Sequence, residues 1–244
     1  MTIKKGDFIK VEYTGRTADG KVFDTTSEEV AKKEGISSEK ANYSPTLLVV
    51  GKGQAIGGLD EAVEGMEMNQ EKEIIINPEK GFGIKNPELI KIIPLSRFKN
   101  EKLSPIPGMV VDIDGQDGII KSVGSGRVVV DFNHPLAGQI LKYKIKVVDK
   151  IENLKDRAKA LFDDTKLLGS LSVESNSLVI ESKADISREY ILRKQSFLSL
   201  IKDFMPEIKS IKFNESYEIE KKKGIESEGK KEEKKEEGKE KKKE

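Results

Sequence analysis

The segment Leu141–Ile151 constrains this chain most. Leu141, Tyr143, Ile145 and Val147 alternate with Lys142, Lys144 and Lys146. A period of two over this length predicts a long strand with one dry and one wet face, which needs partner strands and a core. The N-terminal stretch Asp7–Thr14 offers a partner: Phe8, Val11 and Tyr13 are apolar or aromatic, while Lys10 and Glu12 mark the wet face. We read Leu141–Ile151 as a core strand of the first unit, reached after an insertion.

Between these strands the signals are mixed. Thr17-Ala18-Asp19-Gly20 predicts a turn, because Asp-Gly adopts positive φ at low cost. Lys21–Asp24 resumes as strand, and a short helix is expected near Glu28–Lys33. Leu47–Val50 is a continuous apolar run, hence a buried strand. Leu59, Ala62, Val63 and Met66 have helical spacing, with Gly65 closing the helix, and Glu71–Ile76 is a strand stopped by Asn77-Pro78. A second unit follows, with strand-like segments at Glu88–Pro94, Met109–Ile113, Gly118–Val123 and Arg127–Val130.

From Glu152 the pattern changes. Leu154, Ala158, Leu161 and Phe162 fall on one helical face. Ser177–Glu181 reads as strand, Asp185 or Ser187 can cap a helix that ends before Pro206, and Ile211, Phe213, Tyr217 and Ile219 alternate. Lys221–Glu244 holds 11 Lys and 8 Glu; such a segment has too little apolar surface to pack and is expected to be disordered.

Composition removes several functions. The chain has 244 residues, no Cys and one His, so disulfides, thiol nucleophiles and clustered zinc ligands drop out. Without the tail, 33 basic and 35 acidic residues leave a net of −2, which lacks the electrostatic footprint of a nucleic-acid binder. No apolar run is long enough for a membrane span, and the N-terminus lacks the apolar core of a signal peptide. A cytoplasmic protein without cofactor is expected.

Four motifs then occur in order: Val11-Glu12-Tyr13-Thr14-Gly15, Gly20–Thr26 (GKVFDTT), Gly51–Leu59 (GKGQAIGGL) and Gly81-Phe82-Gly83. Together they resemble the FKBP-type peptidyl-prolyl cis–trans isomerases. Asn133–Gly138 (NHPLAG), after the inserted segment, is similar to the SlyD-like branch, which carries an insert-in-flap chaperone domain. The C-terminal region and Lys/Glu tail look like archaeal long-chain members. The likeness covers about residues 1–152.

The resemblance implies an α+β fold: an antiparallel half-barrel sheet wrapped on one short helix, with an inserted small all-β domain and a small α/β C-terminal domain. The boundaries expected are 1–87 with 131–152 for the isomerase, 88–130 for the insert, 153–220 for the C-terminal domain and 221–244 for the tail. It also implies a pocket for proline. Phe23, Ile56, Leu59, Phe82 and Tyr143 would form its walls, and Tyr13 would orient Asp24. The Ile56 N–H would bond a substrate carbonyl, with Ala55 and Val50 nearby. Leu59 replaces the Trp of many members and Phe82 replaces a Tyr. His134 is expected to be structural, at the turn before Pro135.

In the insert, Ile90, Ile92, Leu95, Phe98, Leu103, Ile106 and Met109 are candidates for holding unfolded clients. A unit of about 40 residues cannot bury all its apolar surface. Partners would be unfolded polypeptides with X–Pro bonds, and a homodimer through the C-terminal domain is expected. The alternative is a holdase in which isomerisation is residual. A metal-storage role would need a His/Cys-rich tail, and this tail has neither residue.

Overall fold

The computed structural model describes residues 1–39, 41–100, 103–184 and 187–217. The tail at 221–244, whose disorder was expected, and Asp185 lie outside them. In chain order the body begins with β1 (Phe8–Thr17), β2 (Val22–Thr25), α1 (Glu28–Lys33), β3 (Thr46–Val49), α2 (Gly57–Val63) and β4 (Glu71–Ile76). Next come β5 (Ile90–Pro94), α3 (Leu95–Asn100), β6 (Val110–Ile113), β7 (Gln116–Gly124) and β8 (Arg127–Asp131). The chain then returns as β9 (Leu141–Ile151) and continues through α4 (Leu154–Asp164), β10 (Ser170–Glu174), β11 (Ser177–Ala184), α5 (Arg188–Phe204) and β12 (Ser210–Tyr217).

The two alternating segments are partners. β1 pairs antiparallel with β9 from Phe8↔Ile151 to Thr17↔Leu141, in a sheet ordered β2-β1-β9-β4 with β3 also on β1. Their inward side chains meet α2 in one core containing Ile9, Val11, Leu48, Leu59, Val63, Ile76, Leu141, Ile145 and Val147. The mixed α+β body with antiparallel strands follows the sequence reading. Gly58 makes this packing feasible, since a Cβ there would lie 2.6 Å from Ile76 Cγ2.

The middle unit is a four-stranded antiparallel sheet ordered β5-β8-β7-β6. Asp114-Gly115 and Ser125-Gly126 all have positive φ, the geometry of two tight I′-type hairpin turns. Its core is Ile93, Phe98, Val111, Ile113, Ile120, Val128 and Val130. The expectation of an all-β unit is corrected by α3. Pro94 has no N–H to give the ladder, the Leu95 N–H makes a last bond to Gly126 O at 2.8 Å, and a helical turn then carries Phe98 into the core, 2% exposed.

The C-terminal unit has a sheet ordered β10-β11-β12, antiparallel then parallel, with α5 as the crossover. The Ser187 hydroxyl caps α5 by accepting from the Tyr190 N–H at 3.1 Å. β10 was not foreseen, because Ser170–Glu174 carries only two apolar residues. Nor is this unit separate in its core. Ala158, Leu161, Phe162, Leu178, Ile180, Phe197 and Ile201 pack in one cluster with Phe8 and Val49 of the body. β3 is therefore buried on both faces, Leu48 in the body's core and Val49 in the C-terminal one. Most apolar side chains of α4 and α5 are covered within the chain. Ile191, Leu192 and Leu198 of α5 stay exposed.

Candidate active site

The site begins with an absent side chain. Gly15 lies on β1 opposite Asp24 of β2 and Tyr143 of β9. A Cβ at Gly15 would sit 2.7 Å from Phe23 Cζ and 3.0 Å from Tyr143 Cε1. The two rings occupy the space that a residue with a side chain would fill. The β1–β2 register shifts here: Gly15 pairs with Asp24 and Arg16 with Val22, leaving Phe23 as the extra residue. Such a bulge re-aims a side chain, and Phe23 turns onto the ring cluster instead of following the pleat.

Four rings converge. Phe23 meets Tyr143 edge-on at 5.7 Å and Phe82 edge-on at 6.2 Å, and Tyr13 meets Tyr143 at 5.9 Å. Ala55 and Ile56 lead into α2 beside them and Leu59 lies beneath, 4% exposed. Tyr13, Phe23, Ile56 and Phe82 remain half-buried, so the cluster is open on one side. The Ile56 carbonyl accepts the Leu59 N–H at 2.9 Å to start the helix.

One polar pair borders this apolar surface. The Tyr13 hydroxyl donates to Asp24 Oδ2 at 2.9 Å, and Asp24 is exposed. Burial, then the Asp24 charge and the hydrogen bond to it, push the Tyr13 phenol up to about 12. Burial chiefly, then Asp24 and Tyr13, also raise Tyr143. Both hydroxyls keep their protons at neutral pH and remain donors.

The loop that enters α2 is tied from within. The buried Asp60 carboxylate accepts from the Gly51 N–H at 2.7 Å and the Gly53 N–H at 3.0 Å. Gln54 Oε1 accepts from the Val49 N–H at 2.7 Å. Gly51 and Gly53 both have φ near +70°, a conformation glycine adopts without penalty.

The structure brings Tyr13, Phe23, Asp24, Ala55, Ile56, Leu59, Phe82 and Tyr143 together. Val50 is corrected: it is fully buried in the body's core and presents nothing to a ligand. Phe98 is likewise corrected as a client contact, because it fills the core of the middle unit. Leu95, Leu103 and Met109 pack partly against that core, whereas Ile90, Ile92 and Ile106 are 41%, 64% and 62% exposed.

The contacts of three residues escaped the sequence reading. Gly15 and Asp60 sit within the quoted motifs, but their roles depend on neighbours across the sheet and loop. His134 stacks on Phe82 with centroids 4.3 Å apart and planes 8° from parallel, so it borders the ring cluster as well as making its turn.

A second hollow of about 620 Å³ opens on the outer face of the sheet, lined by Thr14, Arg16, Val30, Glu73, Ile74, Ile75, Lys142 and Lys144 and by Tyr143. The pleat places Thr14, Arg16, Lys142 and Lys144 across the sheet from the rings. Its lining mixes four charged residues with apolar ones, whereas the ring cluster is bordered by the single Tyr13–Asp24 pair.

The antiparallel sheet thus offers a partly open aromatic cluster with a Tyr–Asp pair at its edge, an apolar surface beside a polar group. Residues 1–98 match the family described as FKBP-type peptidyl-prolyl cis-trans isomerase, and residues 91–136 match the one described as FKBP26, IF domain. The chain is 45% identical over 147 residues to a short-type peptidyl-prolyl cis-trans isomerase of Methanocaldococcus jannaschii, covering 60% of this chain and 93% of that protein. It is 26% identical over 161 residues to the FKBP-type isomerase SlyD of Haemophilus influenzae, covering 61% of this chain and 72% of SlyD. It is 26% identical over 152 residues to a 16 kDa FKBP-type isomerase of Escherichia coli, covering 61% and 93%. The chain belongs to the FKBP-type peptidyl-prolyl cis-trans isomerases. Among the described residues no helix is long and apolar enough to cross a membrane.

Proposed function

We propose that the chain isomerises X–Pro bonds in unfolded polypeptides at the Tyr13–Phe23–Asp24–Phe82–Tyr143 cluster, and that the middle unit holds those polypeptides nearby. The barrier to rotation is about 18–20 kcal/mol because the planar amide is resonance-stabilised. The twisted amide is less dipolar, so a dry aromatic surface favours it over the planar form. No nucleophile is required; the protein has only to bind the twisted form more tightly. Phe23, Phe82 and Tyr143 hold the proline ring, the Ile56 N–H bonds a substrate carbonyl, and Asp24, oriented by Tyr13, faces the rotating carbonyl.

The observation that carries this reading is the partly open ring cluster with the Tyr13–Asp24 pair at its edge. Exchange NMR on a Leu-Pro peptide tests it: acceleration by the full chain that drops with Asp24→Ala is expected. No acceleration by the full chain would overturn it.

We assign this division of labour to 1–87 with 131–152 for isomerisation and 88–130 for holding, with 153–220 as the C-terminal domain. Exposed Ile92 and Ile106 favour client holding and also support the second reading, a holdase with residual isomerisation. Aggregation suppression that survives Asp24→Ala, with no effect on client folding in cells, would select that reading. A homodimer would use the exposed Ile191, Leu192 and Leu198 face of α5, and sedimentation of the full chain measures it.

A further inference from the structure

The middle unit joins the body through two chain segments, 83–89 and 131–140, and the side-chain amide of Asn133 is the central clasp between them. Asn133 is 8% exposed. Its Oδ1 accepts from the Asn86 N–H at 2.8 Å and its Nδ2 donates to the Asn86 carbonyl at 3.0 Å. A single side chain therefore occupies both backbone groups of a residue on the opposite segment, as a strand partner would. The same Nδ2 donates to Asp131 Oδ1 at 2.8 Å, and the Asn133 N–H donates there at 3.0 Å. Asp131 Oδ2 faces Lys85 at 3.6 Å and Lys121 at 3.7 Å. Lys85 belongs to the outgoing segment and Lys121 to β7, so the carboxylate draws in a charge from each side. Two main-chain bonds flank this hub: Phe132 N–H to Leu89 O at 2.9 Å, and Gly138 N–H to Gly83 O at 2.8 Å. The next residue, His134, lies flat on Phe82 of the ring cluster.

We infer that Asn133 is a positioning residue: its amide locks the two segments of the neck and so fixes the middle unit relative to the isomerase site. Without this clasp only the two flanking main-chain bonds would join the segments, and a held client would sample a larger volume. A locked neck confines that volume and raises the local concentration of X–Pro bonds at the site. This benefit rests on the client-holding reading; the lock itself does not.

The cysteine-free chain accepts a nitroxide pair at Ser122→Cys on β7 and Glu64→Cys after α2, both exposed positions. Pulsed dipolar spectroscopy on the full chain should give one narrow distance distribution. Asn133→Ala should broaden it at least about twofold, and Asn133→Ser, the milder change, should broaden it less. Leu-Pro peptide isomerisation should stay within about twofold, which also reports that the variants fold. Acceleration of the prolyl-limited refolding of a reduced, carboxymethylated ribonuclease should fall by about fivefold, because a held client that samples a larger volume loses effective concentration at the site. An unchanged distribution overturns the inference, as does a parallel fall of peptide and refolding activity, which would make Asn133 part of the site's own fold. Broadening with undiminished refolding supports the lock and instead removes the client-holding reading.

Discussion

The Tyr13 hydroxyl and the Asp24 carboxylate are hydrogen-bonded across adjacent strands at 2.9 Å. The bond aims an exposed carboxylate along the edge of an apolar cluster and keeps it from turning freely into water. Tyr13→Phe leaves the ring packing and removes the aim. Loss of one hydrogen bond to a charged group at an exposed site should cost about 1 kcal/mol of transition-state binding, roughly fivefold in kcat/KM. Exchange NMR on a Leu-Pro peptide reads it; an unchanged rate would assign Asp24 no need of orientation.

The same phenol sets an alkaline limit. Burial first, and Asp24 second, raise Tyr13 to about 12 from an unfolded value near 10. Between those values the folded state binds the extra proton, so stability falls as pH rises. The contribution is intact below about pH 10 and lost through about pH 12. Urea midpoints measured from pH 9 to 12 should decline less steeply for Tyr13→Phe than for the parent chain.

Gly15→Ala places a methyl group 2.7 Å from Phe23 Cζ. Overpacking of this kind typically costs about 1–3 kcal/mol. Here the relief must come from Phe23 or Tyr143, so KM for the peptide should rise along with the loss of stability. Denaturant titration and peptide kinetics on the same sample would separate this from a purely structural effect, in which KM would not change.

Asp60→Ala removes the acceptor for the Gly51 and Gly53 amides. Two lost bonds to a charged group predict about 2–4 kcal/mol of destabilisation. Amide hydrogen exchange should quicken at Gly51 and Gly53 ahead of the β1–β9 ladder. Uniform quickening would show that the loop has no local role.

Phe8 is 1% exposed because the C-terminal unit covers it, with Arg157 5.4 Å from its ring centroid. Phe8→Ala should cost about 3–5 kcal/mol and loosen both units in a single transition. Ending the chain at Glu152 should uncover Phe8 and Val49 and increase binding of a hydrophobic dye. Two independent melting transitions in the full chain would contradict a shared core.

Where residues act through their own neighbours in sequence, the chain was readable. The alternation of Leu141–Ile151 located β9, Ser187 capped a helix, and Glu71–Ile76 matched β4 end to end. Four local motifs located most of the ring cluster. The reading failed where distant segments decide. The apolar run Leu47–Val50 indicated burial, but nothing local said that Val49 would face a unit more than 100 residues further on. The bulge at Phe23 arises from the pairing of two strands, and the His134–Phe82 stack arises from the closing of the neck. Phe98 looked like a surface candidate because composition cannot tell a small core from its periphery.

The position of the middle unit within the chain also has a consequence in time. β1 has its longest pairing with β9, which is synthesised only after the middle unit is complete. The middle unit closes through neighbouring hairpins, and such local contacts form sooner than long-range ones. We predict that a chain ending at Asp131 shows hydrogen-exchange protection in β7 and β8 but not in β1; equal protection in β1 would refute this order. On the ribosome, then, the first unfolded segment that the finished middle unit meets is the N-terminal third of its own chain.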